Sequence, residues 1–215
     1  MSLYALDNSL WFPPVSEAMD DGLLAIGGDL SKERLLAAYS KGIFPWYDGE
    51  IPLWWCPDPR FILLPHELKV SKSMKSLLKK EAFRFTINQA FEEVIRACRK
   101  TKRKGQDGTW INDDVEKAYT ALFKEGYALS AEVWVSDMLV GGLYGIKLND
   151  IFFGESMFSL VSNASKYAFI KLVEQLTLQN ISLIDCQVYT PHLESMGAKM
   201  ISRNAFLRIL ETHIH

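Results

Sequence analysis

A carboxylate stands inside an apolar run at residues 151–160, IFFGESMFSL. The run predicts a buried strand, and Glu155 is the ionisable residue within it. Burying a lone ionised carboxylate costs on the order of several kcal/mol, which is comparable to the net stability of a whole domain. Glu155 therefore needs either structural partners or a function that explains its position.

A second polar pair lies in the apolar segment ISLIDCQVY at residues 181–189. Because side chains alternate along a strand, Asp185 and Gln187 face one way and Cys186 faces the other. If this strand neighbours that of Glu155, the three polar side chains meet at the carboxyl ends of both strands, where ligands gather in such sheets. This grouping favours a functional site, and the alternative is that these groups only cap loops and satisfy backbone donors.

Other reactive side chains give weaker signals. Cys186 faces away from the carboxylates and has no nearby histidine to activate it, which argues against a nucleophilic thiol. We interpret His192 as a loop or core histidine, with a role as catalytic base left open. The four histidines and three cysteines show no zinc-ligand spacing, so we expect no metal cofactor.

The elements that position these residues follow from hydrophobic period and from turn residues. GGDLSKERLLAAYSKG predicts a short helix capped by Ser31 and stopped by Gly42. EAFRFTINQAFEEVIRACRK predicts a strand and then a helix, and DDVEKAYTALFKEG predicts a second amphipathic helix ending at Gly126. The first of these two helices, which follows the strand, has one apolar face made by Phe91, Val94, Ile95 and Cys98.

The period then changes to that of strands. LSAEVWVSDMLVGGLYGIKLNDIFFGESMF predicts a β-meander with two-residue turns at 136–137 and 149–150. A helix starting at Ser162 or Asn163 and running to about Leu178 leads to the strand with Asp185. Antiparallel hairpins that feed a βαβ crossover resemble the acetyltransferase-like (GNAT) fold. We therefore predict an α+β protein, with a small N-terminal α/β domain at residues 1–62 and a GNAT-like domain with a mixed sheet at residues 63–215.

Composition limits the class of protein. The chain has 215 residues, 48% hydrophobic content and a formal net charge of −2, so any nucleic-acid site must be a local patch. The N-terminal sequence does not predict a signal peptide, and no apolar run is long enough for a membrane helix. Isolated, odd-numbered cysteines fit reduced thiols, and we expect a cytoplasmic protein.

The GNAT-like order raises an acyl-CoA acetyltransferase as a rival function. Such enzymes hold pyrophosphate on a glycine-rich turn that opens the helix after the meander. Here that turn is SMFSLVSNASK, which contains neither glycine nor arginine. This sequence disfavours CoA binding.

Two basic segments are candidates for binding a phosphate backbone. RKTKRKG contributes Arg99, Lys102, Arg103 and Lys104. KVSKSMKSLLKK contributes four lysines that share a helical face, namely Lys72, Lys75, Lys79 and Lys80. Each segment alone is better explained as a solvated charge run, but two such segments in a net-acidic chain favour a nucleic-acid site.

Several motifs together resemble the leucyl/phenylalanyl-tRNA–protein transferase family. They are LLAIGGDLS, AYSKGIFPWY, LWWCPDPR, EGY with SAEVW, LVGGLYG, FGESMFS, NASK, IDCQ and HLESMGA, and they extend from about residue 23 to residue 198. The resemblance implies transfer of Leu or Phe, sometimes Met, from its charged tRNA to an N-terminal Arg or Lys, which marks the acceptor protein for degradation in the N-degron pathway. It also implies that no metal and no CoA take part. We expect Leu-tRNA, Phe-tRNA and acceptor proteins as partners, no membrane and a monomer.

The resemblance also implies roles for individual residues. Gln187 would contact the attacking amine, Asp185 would polarise Gln187, and Glu155 would help to fix the cationic acceptor residue or the reacting ends. The terminal adenosine of the tRNA would lie near Tyr39, Trp46 and Trp110, and the two basic segments would hold the acceptor stem. Apolar residues of the meander and crossover would form the donor side-chain pocket, with Gly154 leaving room: Leu143, Phe152, Phe169, Leu172 and Ile184.

Three functions remain open from the sequence alone. A transferase requires charged tRNA and a protein acceptor, and it should fail on loss of Asp185 or Gln187. An acetyltransferase would turn over acetyl-CoA without RNA. A non-catalytic tRNA-binding protein would bind through the basic segments and transfer nothing.

Overall fold

A computed structural model describes residues 3–101 and 109–214 of the chain. Its N-terminal part is a small mixed sheet in which the strands lie in the order β1-β2-β4-β3. β1 pairs in parallel with β2, and the other pairings are antiparallel. The elements are β1 (Tyr4–Leu6), β2 (Leu23–Gly27), α1 (Lys32–Tyr39), β3 (Phe44–Pro45) and β4 (Leu53–Trp55).

The larger sheet has seven strands among the described residues. They are β5 (Arg60–Leu63), β6 (Arg84–Ile87), β7 (Ala128–Val135), β8 (Met138–Leu148), β9 (Ile151–Ser159), β10 (Leu183–Gln187) and β11 (Lys199–Ile201). Their order is β11-β5-β10-β9-β8-β7-β6, and β9 with β10 is the parallel pair. The prediction of an α+β chain is confirmed, since both sheets are mixed and helices accompany them.

The described residues contain six further α-helices after α1. They are α2 (Lys72–Lys79), α3 (Phe91–Lys100), α4 (Asp113–Lys124), α5 (Ala164–Leu178), α6 (Pro191–Glu194) and α7 (Arg203–His213). One face of the sheet packs on α3 and α4, where the buried residues of α3 are the predicted Phe91, Val94, Ile95 and Cys98. The other face packs on α5.

Local sequence signals account for the ends of these elements. Ser31 caps α1 by accepting a hydrogen bond from the amide of Arg34 at 3.4 Å, as predicted. Asn112 caps α4 by accepting from the amide of Val115 at 2.9 Å. The hairpin turns at 136–137 and 149–150 are confirmed, and each begins with a residue of positive φ, Ser136 or Asn149.

The predicted crossover is confirmed, because α5 connects β9 to its parallel neighbour β10. The chain passes from the smaller sheet to the larger one between Trp55 and Arg60. A domain division at residue 62 stays a prediction. No helix within residues 3–101 and 109–214 is long and apolar enough to cross a membrane.

Candidate active site

A cavity of about 290 Å³ lies where β9 and β10 separate. The two strands pair only from Leu183–Ile151 to Asp185–Phe153, although β9 continues to Ser159. Beyond that last pair, the two strand ends line the cavity instead of bonding to each other. The residues that do so include Gly154, Glu155, Cys186 and Gln187.

Glu155 is the centre of a hydrogen-bonded cluster in the cavity wall. Its Oε1 accepts from the Tyr39 hydroxyl at 2.7 Å and from Gln187 Nε2 at 2.9 Å. Its Oε2 accepts from the Tyr119 hydroxyl at 3.1 Å. The predicted meeting of Glu155 and Gln187 is therefore present, and two tyrosines from α1 and α4 complete it.

This environment changes the acidity of Glu155. Burial, which disfavours the charged form, raises the pKa of the carboxyl to about 7. The hydrogen bonds from Tyr39, Tyr119 and Gln187 oppose that rise, whereas the negative charge of Asp185 adds to it. Near neutral pH a substantial fraction of Glu155 is thus protonated.

Asp185 is fully buried and paired with Arg60, which is also fully buried. Arg60 Nε donates to Oδ1 at 2.8 Å and Arg60 Nη2 donates to Oδ2 at 2.6 Å, so the contact is bidentate. The guanidinium lies between the rings of Phe44 and Phe206, with its carbon 4.7 Å from each centroid. Asp185 is therefore neutralised within the protein.

Asp185 also fixes the backbone of Gln187. The amide of Gln187 donates to Asp185 Oδ1 at 2.9 Å, and Gln187 has a φ of +62° next to an irregularity in the β10–β5 pairing. A left-handed conformation is uncommon for glutamine and needs such support. Since Gln187 Nε2 bonds to Glu155, the side-chain carbonyl oxygen of Gln187 is the group left to accept a hydrogen bond from a ligand.

The predicted donor pocket matches the apolar wall of the cavity in part. Leu143, Gly154, Phe169 and Ile184 line the cavity. Phe152 and Leu172 are buried in the core behind it and do not line it. Met157 and Leu193, which were not predicted, complete this wall.

The three residues predicted near an adenosine have different positions. Trp46 and Trp110 line the cavity, and 37% of Trp46 is exposed. Tyr39 is fully buried, with its ring centroid 5.1 Å from that of Phe153. Its ring has no face open for stacking, which argues against the adenosine contact and connects Tyr39 with Glu155 instead.

The two predicted basic segments differ in whether their cations are already paired with carboxylates. Lys72, Lys75 and Lys79 of α2 are exposed, as is Lys80 just after it, while Met74 on the opposite side is buried. Arg99 donates to Asp113 at 2.5 Å and to Glu116 at 3.3 Å, so its charge is already balanced by carboxylates. This pairing weakens the predicted phosphate contact of Arg99. Lys102, Arg103 and Lys104 lie outside the described residues.

Cys186 and His192 also line the cavity. The prediction that Cys186 faces away from the carboxylates is wrong, since it shares the cavity wall with Glu155 and Gln187. Burial raises the pKa of its thiol far above the ordinary value, which is a separate argument against a nucleophile. Burial lowers the pKa of His192, and its Nε2 has no hydrogen-bond partner among the described residues. His192 lies in the single turn of α6 and is more than a loop residue, since it forms part of the wall.

Sequence reasoning missed Arg60 and Tyr119. Arg60 had a usable signal, because it opens the apolar run RFILL and is as anomalous there as Glu155 is in its own strand. Tyr119 had none, since it occupies a buried position of the amphipathic helix α4 that any core tyrosine could fill.

Comparison with known proteins agrees with the sequence motifs. The family model for leucyl/phenylalanyl-tRNA protein transferase matches residues 62–211, and the model for the N-terminal domain of that transferase matches residues 28–58. Two similar proteins bear the name leucyl/phenylalanyl-tRNA–protein transferase. The one from Christiangramia forsetii is 55% identical over 211 residues, covering 97% of this chain and 100% of the relative. The one from Flavobacterium johnsoniae is 55% identical over 211 residues, covering 98% and 100%.

A solved structure with partial similarity is that of L-PGS from Bacillus licheniformis. Its TM-score to this chain is 0.41 at 12% identity, and the match covers 79% of this chain and 56% of that one.

Proposed function

This chain belongs to the leucyl/phenylalanyl-tRNA protein transferase family, and we propose that it carries out the reaction of that family in the cavity between β9 and β10. It is an enzyme that transfers Leu or Phe from aminoacyl-tRNA to the N-termini of proteins. The observation that supports this location is the convergence of Glu155 and Gln187 on an apolar cavity at diverging strand ends.

The reaction is aminolysis of an ester. The acceptor α-amine attacks the carbonyl carbon, the new C–N bond forms, the bond from that carbon to the ribose oxygen breaks, and one proton moves from nitrogen to oxygen. An α-amine has a pKa of about 8, so a modest fraction is free near neutral pH. The protein must therefore orient the amine and manage that proton.

Gln187 orients the amine through its side-chain carbonyl oxygen. The Arg60–Asp185 pair acts through Gln187, because Asp185 bonds to its amide and fixes its unusual backbone. Asp185 is thus a positioning residue, since Arg60 and the Gln187 amide occupy its carboxylate. Glu155 is the carboxyl group nearest the reacting atoms.

The donor occupies the rest of the cavity. Its side chain packs on Leu143, Gly154, Phe169 and Ile184, and its terminal adenosine stacks on the exposed Trp46, beside the mostly buried Trp110. The exposed lysines of α2 hold the acceptor stem without reading its sequence. The acceptor begins with Arg or Lys, and the enzyme acts as a monomer in the cytoplasm. Its larger sheet is GNAT-like. The β9–α5–β10 crossover, whose two parallel strands diverge beyond Asp185 and Phe153, supports this fold.

The test uses purified protein, radiolabelled Leu-tRNA and a peptide that begins with Arg. A matched peptide beginning with Ala and an uncharged-tRNA reaction are the controls. Label on the Arg peptide alone is the expected result. Binding of tRNA without transfer to either peptide, or turnover of acetyl-CoA without RNA, would overturn the proposal.

A further inference from the structure

Three side chains, Tyr39, Tyr119 and Glu155, form a closed triangle of hydrogen-bond contacts beneath the cavity. Tyr39 and Tyr119 hydroxyls are 2.5 Å apart, the Tyr39 hydroxyl is 2.7 Å from Glu155, and the Tyr119 hydroxyl is 3.1 Å from Glu155. Each contact between two oxygens requires one hydrogen atom to be attractive. The triangle thus requires three protons.

The number of available protons depends on Glu155. Each phenol supplies one, and burial raises the pKa of both Tyr39 and Tyr119 well above the ordinary value, so both keep theirs. With Glu155 ionised there are two protons for three contacts, and two lone pairs would face each other across one of them. With Glu155 protonated, Oε2 donates to the Tyr119 hydroxyl instead of accepting from it, the Tyr119 hydroxyl donates to Tyr39, and Tyr39 donates to Oε1. Three protons then serve three contacts, and the triangle is complete.

Accessibility distinguishes the members of the triangle. Tyr39 and Tyr119 are fully buried, whereas Glu155 is half-buried and lines the cavity. A proton can therefore pass between the cavity and the triangle only through Glu155. The two phenols set the hydrogen-bond requirement that Glu155 must meet.

We propose that Glu155 enters the reaction as a neutral carboxylic acid, the form that completes the triangle with Tyr39 and Tyr119, and that it exchanges the proton that leaves the amine for the one that the ribose oxygen gains. This inference rests on the proposed function and adds to it the route of the proton. As the C–N bond forms and the C–O bond breaks, Glu155 gives its proton to the departing oxygen and receives one from the amine nitrogen. The triangle holds three protons before and after the cycle.

The charged and titratable groups around Glu155 are consistent with a neutral acid. Asp185 on β10 is negative and Arg60 on β5 is positive, and they are paired with each other. Tyr39 on α1, Tyr119 on α4 and Tyr144 on β8 are phenols. No cation within residues 3–101 and 109–214 is in contact with Glu155, so none of those residues supplies a counter-charge beside its ionised form.

The first test measures protonation in the ligand-free protein. Near pH 6, ordinary surface carboxyls are ionised, so the infrared C=O stretch of a carboxylic acid is expected from Glu155. This band should disappear in Glu155→Gln. It should persist in Tyr127→Phe, the control variant, because Tyr127 does not line the cavity. Absence of the band from the wild type would overturn the proposal, whatever the activity of the protein.

The second test measures the pH dependence of transfer in a single turnover, corrected for spontaneous ester hydrolysis. The wild-type rate should rise with the free amine and fall as Glu155 loses its proton, whereas Glu155→Gln should be slower and show only the rise. Tyr119→Phe removes the contact that requires the third proton and should move the midpoint of the falling limb to lower pH by on the order of one pH unit, whereas Tyr127→Phe should not move it. A move to higher pH would mean that the Tyr119 hydroxyl favours the ionised carboxylate and would overturn the proposal. A falling limb that persists in Glu155→Gln would overturn the relay. Absence of transfer from the wild type would overturn the proposed function alone.

Discussion

The charged side chains around the cavity are neutralised in two different ways. Asp185 and Arg60 neutralise each other through a bidentate ion pair between fully buried groups. Glu155 has hydrogen-bond donors and no cation beside it among the described residues, and burial raises its pKa to about 7. The first arrangement suits a fixed support and the second suits a group that gains and loses a proton near neutral pH.

Replacing Glu155 by glutamine should change how stability depends on pH. A carboxyl whose pKa is raised on folding binds more protons in the folded state, so wild-type stability decreases as pH rises from about 4.5 toward about 7. The amide of the Glu155→Gln variant cannot ionise, so the variant lacks this decrease. It should gain up to roughly 3 kcal/mol relative to wild type over that window, measured by urea unfolding at pH 5 and pH 8. An equal stability difference at both pH values would contradict the raised pKa.

Gly154 determines the space for the donor side chain. A methyl group added there would meet its nearest neighbours, Asp185 O and Phe152 Cε1, at 3.6 Å and 3.9 Å, which are ordinary contacts. Gly154→Ala should therefore fold normally and narrow the cavity. We expect kcat/KM for Phe transfer to fall on the order of tenfold more than for Leu transfer. Gly49→Ala, where nothing lies within 4 Å, is the control, and an equal loss for both donors would argue against this pocket.

At the scale of elements, local signals predicted most of the fold. The Ser31 cap, the two hairpin turns and the β9–α5–β10 crossover are all encoded by neighbouring residues. The candidate site is less predictable, because its contacts join distant segments. Arg60 meets Asp185 from 125 residues away and Tyr119 meets Glu155 from 36 residues away, and no periodic pattern encodes either pairing.

The alternation rule predicted that Asp185 and Gln187 face one way and Cys186 the other, but all three line the cavity, because the pairing of β10 with β5 is irregular between Asp185 and Gln187. The rule could not supply the left-handed backbone of Gln187, since that conformation depends on the Asp185 carboxylate and on the irregular pairing with β5. The burial of Tyr39 was missed for a similar reason. Its hydroxyl partners come from α4 and β9, which the sequence of α1 does not reveal.

The Arg60–Asp185 pair should couple β5 to β10. Arg60→Met or Asp185→Leu leaves one buried charge uncompensated, which costs about 3–5 kcal/mol. The double variant Arg60→Met/Asp185→Leu removes both charges and should recover much of that loss. A double-mutant cycle by urea denaturation measures the coupling. The exposed pair Lys171–Glu174 is the control, with an expected coupling of about 0.5 kcal/mol, and strictly additive effects at Arg60 and Asp185 would contradict this account.

At the scale of the whole molecule, a chain of net charge −2 must bind a polyanion through a local surface. The exposed side of α2 offers such a surface, since its buried side faces the core through Met74. Arg99 of α3 does not, because Asp113 and Glu116 compensate its charge. The distribution of compensated and uncompensated cations thus decides which basic segment can contact phosphates.

Salt dependence of tRNA binding distinguishes these surfaces. Each phosphate contact contributes about 0.7 to 0.9 to the slope of log K against log salt concentration. Lys75→Ala/Lys79→Ala should therefore reduce that slope by about 1.4 to 1.8 and weaken binding of all tRNAs alike. Lys117→Ala/Lys199→Ala changes the net charge equally but removes lysines that pair with Asp114 and Glu67, so its slope should match wild type. Equal reductions in both double variants would mean that net charge, and not the surface of α2, governs binding.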